Sequence, residues 1–255
     1  MTGVLPSQAL RRLIDQGGLS AQPAIQDDQI QPASLDLRLG TVAYRVRASF
    51  LAGHGRTVAD RIAEFEMHRV DLTQGAVLEK GCVYVIPLME RLALPHGLTA
   101  VANAKSSTGR LDLLTRTITD GGVEFDRIAP GYVGPLYAEV CPRSFSVLVR
   151  PGMRLNQIRF RDGQSVLNDA ELAALHAVDP LVSGAAVISE GLGFSVDLRP
   201  CEGDLLGFRA KPHTGVIDLA KIGHYPARDF WEDVRSSEGR IILDPGAFYI
   251  LVSRE

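Results

Sequence analysis

The sequence predicts a mainly β protein with one helix at its N-terminal edge and a β module that is used twice. Three observations carry this. Short runs rich in Val, Ile, Leu, Tyr and Phe ("SLDLRLG", "VYVIPL", "LYAEV", "SFSVLVRPGMRLNQIRF" and "AFYILV") are separated by Gly, Pro and Asp, the pattern of strands in a sandwich or barrel. One early segment has helical spacing instead. Finally, blocks of sequence recur in the same order.

The helix comes first. In "PSQALRRLIDQGGL", Leu10, Leu13 and Ile14 fall at i, i+3, i+4, with Ser7 placed to cap the start and Gly17-Gly18 to end it. The repeats follow. "QPASLDLRLG" (31–40) returns as "GLGFSVDLRP" (191–200), "RVDL" (69–72) as "GVIDL" (215–219), and "VLEKGCVYVIPLME" (77–90) as "ILDPGAFYILVSRE" (242–255). In the last pair Leu78, Gly81, Tyr84 and Glu90 recur as Leu243, Gly246, Tyr249 and Glu255, which points to duplication. Glu255 is the partner of Glu90, so the second copy has no counterpart to residues 91–160. The expected division is a first module over 1–163, a linker over 164–184 with a short helix around Asp169 to His176, and a partial second β module over 185–255. This second module is read as scaffold, interface or cover, in a chain shortened relative to a longer parent.

Composition excludes some classes of function. The 255 residues allow one large or two small domains, and 45% apolar and 22% charged residues are ordinary for a globular chain. A net charge of -3 gives no sign of a nucleic-acid or membrane surface. No apolar run approaches the roughly 18 to 20 residues that span a bilayer, and "MTGVLPSQALRRL" lacks a signal-peptide core, so a cytoplasmic location is expected. Cys82, Cys141 and Cys201 form no C-x-x-C; each reads as a small buried apolar residue rather than a disulfide or zinc ligand.

The segment "ANAKSSTGRLDLL" (102–114) places two serines between a lysine and an arginine, with a glycine after them. It is either a polar turn or part of an anion site. Further on, "GGVEFDRIAPGYVGPLYAEV" ends in a strand where Tyr137 and Glu139 share a face. An inward carboxylate in such a strand is costly unless paired or used; an edge glutamate facing water is the alternative. Asp36 and Arg38 also share a strand face, which suggests a structural ion pair at a subunit contact, with direct ligand contact as the alternative.

Four segments in order, "IQPASLDLRLG", "KSSTGRLDL", "FDRIAPGYVGPLYAEV" and "RPGMRLNQIRF", resemble the successive motifs of the dCTP deaminase branch of the dUTPase-like superfamily, through about residues 25–162. The tandem arrangement is similar to the long two-module bacterial members. The resemblance implies a dUTPase-like distorted β-barrel or jelly roll, assembled as a homo-oligomer with active sites between subunits. A trimer is the family's form, and a pseudosymmetric packing of the tandem modules is the alternative. It also implies hydrolytic deamination of dCTP to dUTP and ammonia without a catalytic metal. Transferred to matching positions, Glu139 is the general base, Ser106 and Arg110 are its supporting serine and arginine, and Gln157 contacts the nucleotide.

The chemistry of the residues is compatible with this. One carboxylate can shuttle the protons of a deamination. A zinc-activated water would require H-x-E followed by P-C-x-x-C, and neither is present. Mg²⁺ is expected only through the substrate triphosphate, which asks for turn amides, hydroxyls and cations. Ser107 can donate to a phosphate oxygen, and Lys105 or Arg154 can supply charge, although for either cation alone a solvated surface side chain is the favoured reading. Gly109 permits close backbone approach.

Two positions depart from the family's pattern. Where diphosphatase members carry a water-activating aspartate, "RIAPGY" has Ala129, which disfavours pyrophosphate release. Where bacterial deaminases carry a histidine, the chain has Asp126 before Arg127; Asp126 either accepts from the cytosine amine or pairs with Arg127. The competing readings are a diphosphatase of the same fold and a nucleotide-binding regulatory module without turnover.

Overall fold

In the computed structural model, which describes residues 3–199, 204–236 and 239–255, the alternating segments form strands that sort into four sheets. Cys201 lies outside the described residues. In chain order the elements are β1 (Gly3–Val4), α1 (Ser7–Asp15), β2 (Leu19–Ala21), β3 (Leu35–Arg38), β4 (Val42–Val46), α2 (Val58–Phe65), β5 (Glu66–Asp71), β6 (Ala76–Leu78), β7 (Val83–Ala93) and β8 (Leu98–Ala104). Then come α3 (Ser106–Gly109), β9 (Leu113–Thr119), β10 (Arg127–Ile128), β11 (Val133–Pro142), β12 (Val147–Val149) and β13 (Arg154–Asp162). The chain continues with α4 (Asp169–Val178), β14 (Leu205–Ala210), β15 (Ile217–Asp218), α5 (Ala227–Phe230), β16 (Trp231–Arg235) and β17 (Tyr249–Leu251). The chain divides into one unit of Met1–Ser165 with Gly215–His224 and another of Val166–Thr214 with Tyr225–Glu255.

The first unit holds three sheets. One runs β1-β13-β8-β10, with β3 also paired to β13; a second runs β5-β4-β7-β11-β9, with β2 also paired to β7. The third is β15-β12-β6, where β12 and β15 run parallel. Arg150 grips both oxygens of Asp218 (2.6 and 3.0 Å) and holds that carboxyl down at about 2, which clips β15 to the unit. The helix α2 is capped by Thr57 and Asp60 reciprocally. Its Val58 and Ile62 pack with Val46, Phe50, Ala52, Val85 and Ile118 into an apolar cluster on the second sheet. Glu139 has Val85 of that cluster as its register partner on β7.

Several expectations need correction. Ser7 is the first helical residue and does not cap α1; Pro6 stands at the N-cap, where its missing N–H costs nothing. The C-terminal end is as expected. Gly17, at φ +76°, and Gly18 donate their N–H groups to the carbonyls of Ile14 and Leu13 (2.9 Å each), closing the helix as a left-handed glycine permits. "SFSVLVRPGMRLNQIRF" is two strands in different sheets, β12 and β13, separated by a turn at Gly152 with φ +82°. Asp36 and Arg38 do not pair with each other. All four residues of β3 are buried, so each charge finds a partner elsewhere: Arg38 on Glu90 and Asp36 on Lys105.

The second unit contains α4, α5 and the sheet β16-β14-β17. Asn168 and Glu171 cap α4 reciprocally. The duplication extends to single hydrogen bonds. The N–H of Glu79 donates to the Tyr84 hydroxyl (3.1 Å) and that of Asp244 to the Tyr249 hydroxyl (3.0 Å). Gly81 and Gly246 both have φ +78°. Arg45 lies over the Tyr84 ring at 5.8 Å and Arg209 over Tyr249 at 6.0 Å. The order β16-β14-β17 therefore repeats β5-β4-β7, so the counterpart of "RVDL" on β5 is Trp231–Arg235 and not "GVIDL" (215–219), which forms β15 beside β12 in the first unit. On β7 the next neighbour is β11, which carries Glu139, whereas β17 has no second neighbour among the described residues. No helix among the described residues is long and apolar enough to cross a membrane.

Candidate active site

Glu139 lies near the middle of β11, between β7 and β9, and is only 2% exposed. Its register partner on β9 is Arg116, so the two side chains project from the same face. Arg116 Nε and Nη2 donate to Glu139 Oε1 at 3.0 and 2.5 Å. Glu139 Oε2 is buried and has no hydrogen-bond partner among the described residues. The edge-glutamate alternative is thereby set aside: this carboxylate is internal, with one oxygen held and the other uncommitted.

The "KSSTGR" segment forms a short helix, α3, rather than an irregular turn. The Thr108 hydroxyl donates inward to the Leu155 carbonyl (3.0 Å), and the Lys105 N–H donates to the same carbonyl at 2.9 Å, fixing α3 against β13. Ser106, Ser107 and Arg110 project outward and are exposed. Among the described residues no hydrogen bond or ion pair joins Ser106 or Arg110 to Glu139. Gly109 has open space where a Cβ would stand, so the fold itself does not demand glycine there.

The cations expected to meet phosphate are engaged within the chain. Lys105 is bonded to the buried Asp36 through Nζ and Oδ2. Arg154 donates to the Gln26 side chain (3.0 Å), the Asp28 carbonyl (3.1 Å) and the Asp28 carboxylate (2.8 Å), which holds the Asp28 carboxyl below its ordinary range. Gln157, half-buried on β13, accepts from the Ser34 hydroxyl at 3.0 Å.

Asp126 and Arg127 do not form a pair. Arg127 meets Glu124 at 2.8 Å on the surface. Asp126, with φ +63°, accepts the Thr117 N–H at 2.7 Å, while its own N–H donates to the Thr117 carbonyl at 2.9 Å. Burial pushes its carboxyl above the ordinary range, against the pull of the Thr117 N–H and Arg116. Arg127, Ala129 and Tyr132 line a cavity of about 480 Å³ together with Asp120, His54 and Arg161. The Tyr132 hydroxyl donates to the Pro135 carbonyl (2.6 Å) and accepts the Asp120 N–H (3.2 Å); burial pushes it up to about 12. This cavity reaches neither Glu139 nor α3.

Sequence reasoning missed Arg116, together with Phe125, whose ring centre lies 3.7 Å from the guanidinium carbon, and Ser49, whose hydroxyl accepts from Nη2 at 2.9 Å. A weak signal existed. In "LLTRTIT" an arginine shares a strand face with Leu114 and Ile118, and an arginine in that company needs a partner. Which partner is a matter of register between strands 23 residues apart, and one sequence does not fix that.

Comparison with known proteins identifies the family. A family model described as 2'-deoxycytidine 5'-triphosphate deaminase, N-terminal domain, matches residues 1–164, and its C-terminal-domain counterpart matches residues 168–255. The crystal structure of 2'-deoxycytidine 5'-triphosphate deaminase from Agrobacterium tumefaciens superposes with a TM-score of 0.94 at 51% identity, covering 99% of this chain and 77% of that one. The dCTP deaminase of Natronomonas pharaonis is 29% identical over 165 residues, 64% of this chain and 82% of its own length. A protein of Coprothermobacter proteolyticus named dCTP deaminase, dUMP-forming, is 29% identical over 164 residues, 62% of this chain and 81% of its own. On the family match across both of its units, the chain belongs to the 2'-deoxycytidine 5'-triphosphate deaminase family.

Proposed function

We propose that this chain hydrolyses the exocyclic amine of dCTP, giving dUTP and ammonia, with Glu139 as the proton carrier and no catalytic metal. The observation that supports this best is the Glu139 carboxylate, internal yet with Oε2 uncommitted. In this reading Glu139 takes a proton from the water as its oxygen bonds to C4, and passes that proton to ring N3. It then moves the proton of the new C4 hydroxyl to the amine. The C4–N bond breaks, ammonia leaves and the C4 carbonyl forms. Mg²⁺ would enter only with the substrate triphosphate, whose charge it would offset, and the reaction takes place in the cytoplasm.

The product is argued from Ala129. Similar proteins include both plain and dUMP-forming deaminases at the same 29% identity, so likeness does not choose between them. A methyl group cannot activate the water that would release pyrophosphate. Incubation with dCTP and Mg²⁺, followed by ion-exchange chromatography, is expected to yield dUTP; accumulation of dUMP and pyrophosphate would overturn the product assignment, and unchanged dCTP the activity.

The working unit is a homo-oligomer, a trimer by family resemblance, in which Ser106 and Arg110 of one subunit complete the site around Glu139 of another. Their exposure on α3 and their lack of a bond to Glu139 within one chain support this. Subunits carrying Glu139→Gln and subunits carrying Arg110→Ala, each inactive alone, should regain activity when unfolded and refolded together. A site that draws its two groups from different subunits recovers about a quarter of parental activity at equal mixing. No recovery in a mixed oligomer confirmed by native mass spectrometry would place both groups in one subunit.

A further inference from the structure

We propose that Arg116 is a positioning residue, which fixes the Glu139 carboxylate for proton transfer and is itself held by Phe125 and Ser49. The inference rests on the reading of Glu139 as proton carrier.

The geometry differs from that of an ordinary structural ion pair. A guanidinium opposite a carboxylate gains most by engaging both oxygens with two parallel N–H groups. Here both N–H groups, Nε and Nη2, converge on Oε1 at 3.0 and 2.5 Å. Oε2 is left buried without a partner among the described residues, an arrangement that costs stability unless something is delivered to that atom. One oxygen is therefore an anchor and the other faces the reaction.

Three separate segments hold the anchor. Arg116 stands opposite Glu139 in the β9–β11 ladder, so the backbone register sets their distance. The Ser49 hydroxyl, from the segment between β4 and α2, accepts from Nη2 at 2.9 Å. Phe125, from the β9–β10 connection, lies under the guanidinium at 3.7 Å and packs on the apolar cluster of the second sheet. A planar cation stacked on a ring that is itself fixed in a core loses its rotational freedom before substrate arrives.

Steady-state kinetics of the full chain with dCTP tests this. Replacing Arg116→Gln is expected to lower kcat about 100-fold while KM stays within about threefold, since the lost function is orientation and not substrate binding. Arg116→Lys, which keeps the charge but neither the fork nor the stacking, should recover part of this and stand about tenfold below the parent. Phe125→Leu should lower kcat without Arg116 being touched. A kcat for Arg116→Gln within about twofold of the parent, or a loss carried by KM, overturns the proposal. Should Arg116→Gln fail to fold, parental kcat in both Arg116→Lys and Phe125→Leu overturns it instead. Glu139→Gln serves as the control: if it turns over like the parent, the proton-carrier reading fails, whereas an inactive Glu139→Gln beside parent-like Arg116 variants removes this inference alone.

Discussion

Glu139→Gln is expected to lower kcat for dCTP by about 1,000-fold, within the range that removal of a general acid–base group produces. Its affinity for dCTP should remain within about threefold of the parent, because the substitution keeps the shape of the side chain. The amide oxygen can still accept from Arg116 at the place of Oε1, so the β9–β11 contact and the fold persist. What is lost is basicity at the other atom. In the parent that atom is an acceptor without a partner, whereas in the variant it is an NH₂ group that can take no proton from water. Glu139→Asp separates charge from reach. It keeps the carboxylate but withdraws it by one methylene, and should still lose about 100-fold, since a displacement of about 1 Å at a reacting group has that effect. Ammonia release, measured beside equilibrium binding of dCTP, decides the matter. Turnover by Glu139→Gln within about tenfold of the parent would exclude this carboxylate as the base.

What could be read from the chain itself divides along a physical line. Features set by neighbouring residues were legible: the spacing of Leu10, Leu13 and Ile14 gave α1, and Gly17 and Gly18 gave its end. The repeat was legible too, because a tyrosine that accepts an N–H five residues back, after a left-handed glycine, needs the same residues at the same spacing each time. Glu139 could be singled out as an odd charge in an apolar strand. Its partner could not. Arg116 meets it through a ladder register, and Phe125 reaches Arg116 from the β9–β10 connection, which crosses between two sheets and includes the left-handed Asp126. Alternation in "SLDLRLG" suggested that Asp36 and Arg38 answer each other, yet alternation says only which residues share a face. In a strand buried throughout, each charge is met by an opposite charge elsewhere in the fold, and those lie 69 and 52 residues away in Lys105, at the start of α3, and Glu90, on β7.

Removal of Glu90 should destabilise the first unit more than any other single change away from the site. Its carboxylate is wholly buried on β7, and three groups converge on it. Arg38 Nε and Gln29 Nε2 donate to Oε1 at 2.8 and 2.9 Å, and the Arg38 N–H donates to Oε2 at 2.8 Å. Arg38 carries the link onward to the carbonyls of Pro23 (2.7 Å) and Ala24 (3.2 Å). One side chain thus joins β7, β3 and the segment leading into β3. Glu90→Ala leaves a buried guanidinium, a buried amide and a backbone N–H without their acceptor, and breaking a buried pair in this way costs about 3–5 kcal/mol. For a domain of this size that corresponds to a fall of about 6–20 °C in Tm. The pair is not equivalent to its two halves. Replacing both charges, in Arg38→Met with Glu90→Leu, removes the stranded cation and should recover part of the loss. Recovery stops short of the parent because the Arg38 N–H remains and the carboxylate that accepted it has gone. Thermal melts of the parent, the single variant and the double variant give the ranking directly. A Glu90→Ala protein melting within about 2 °C of the parent would mean that water or backbone rearrangement replaces all three bonds, and that this carboxylate does not hold the segments together.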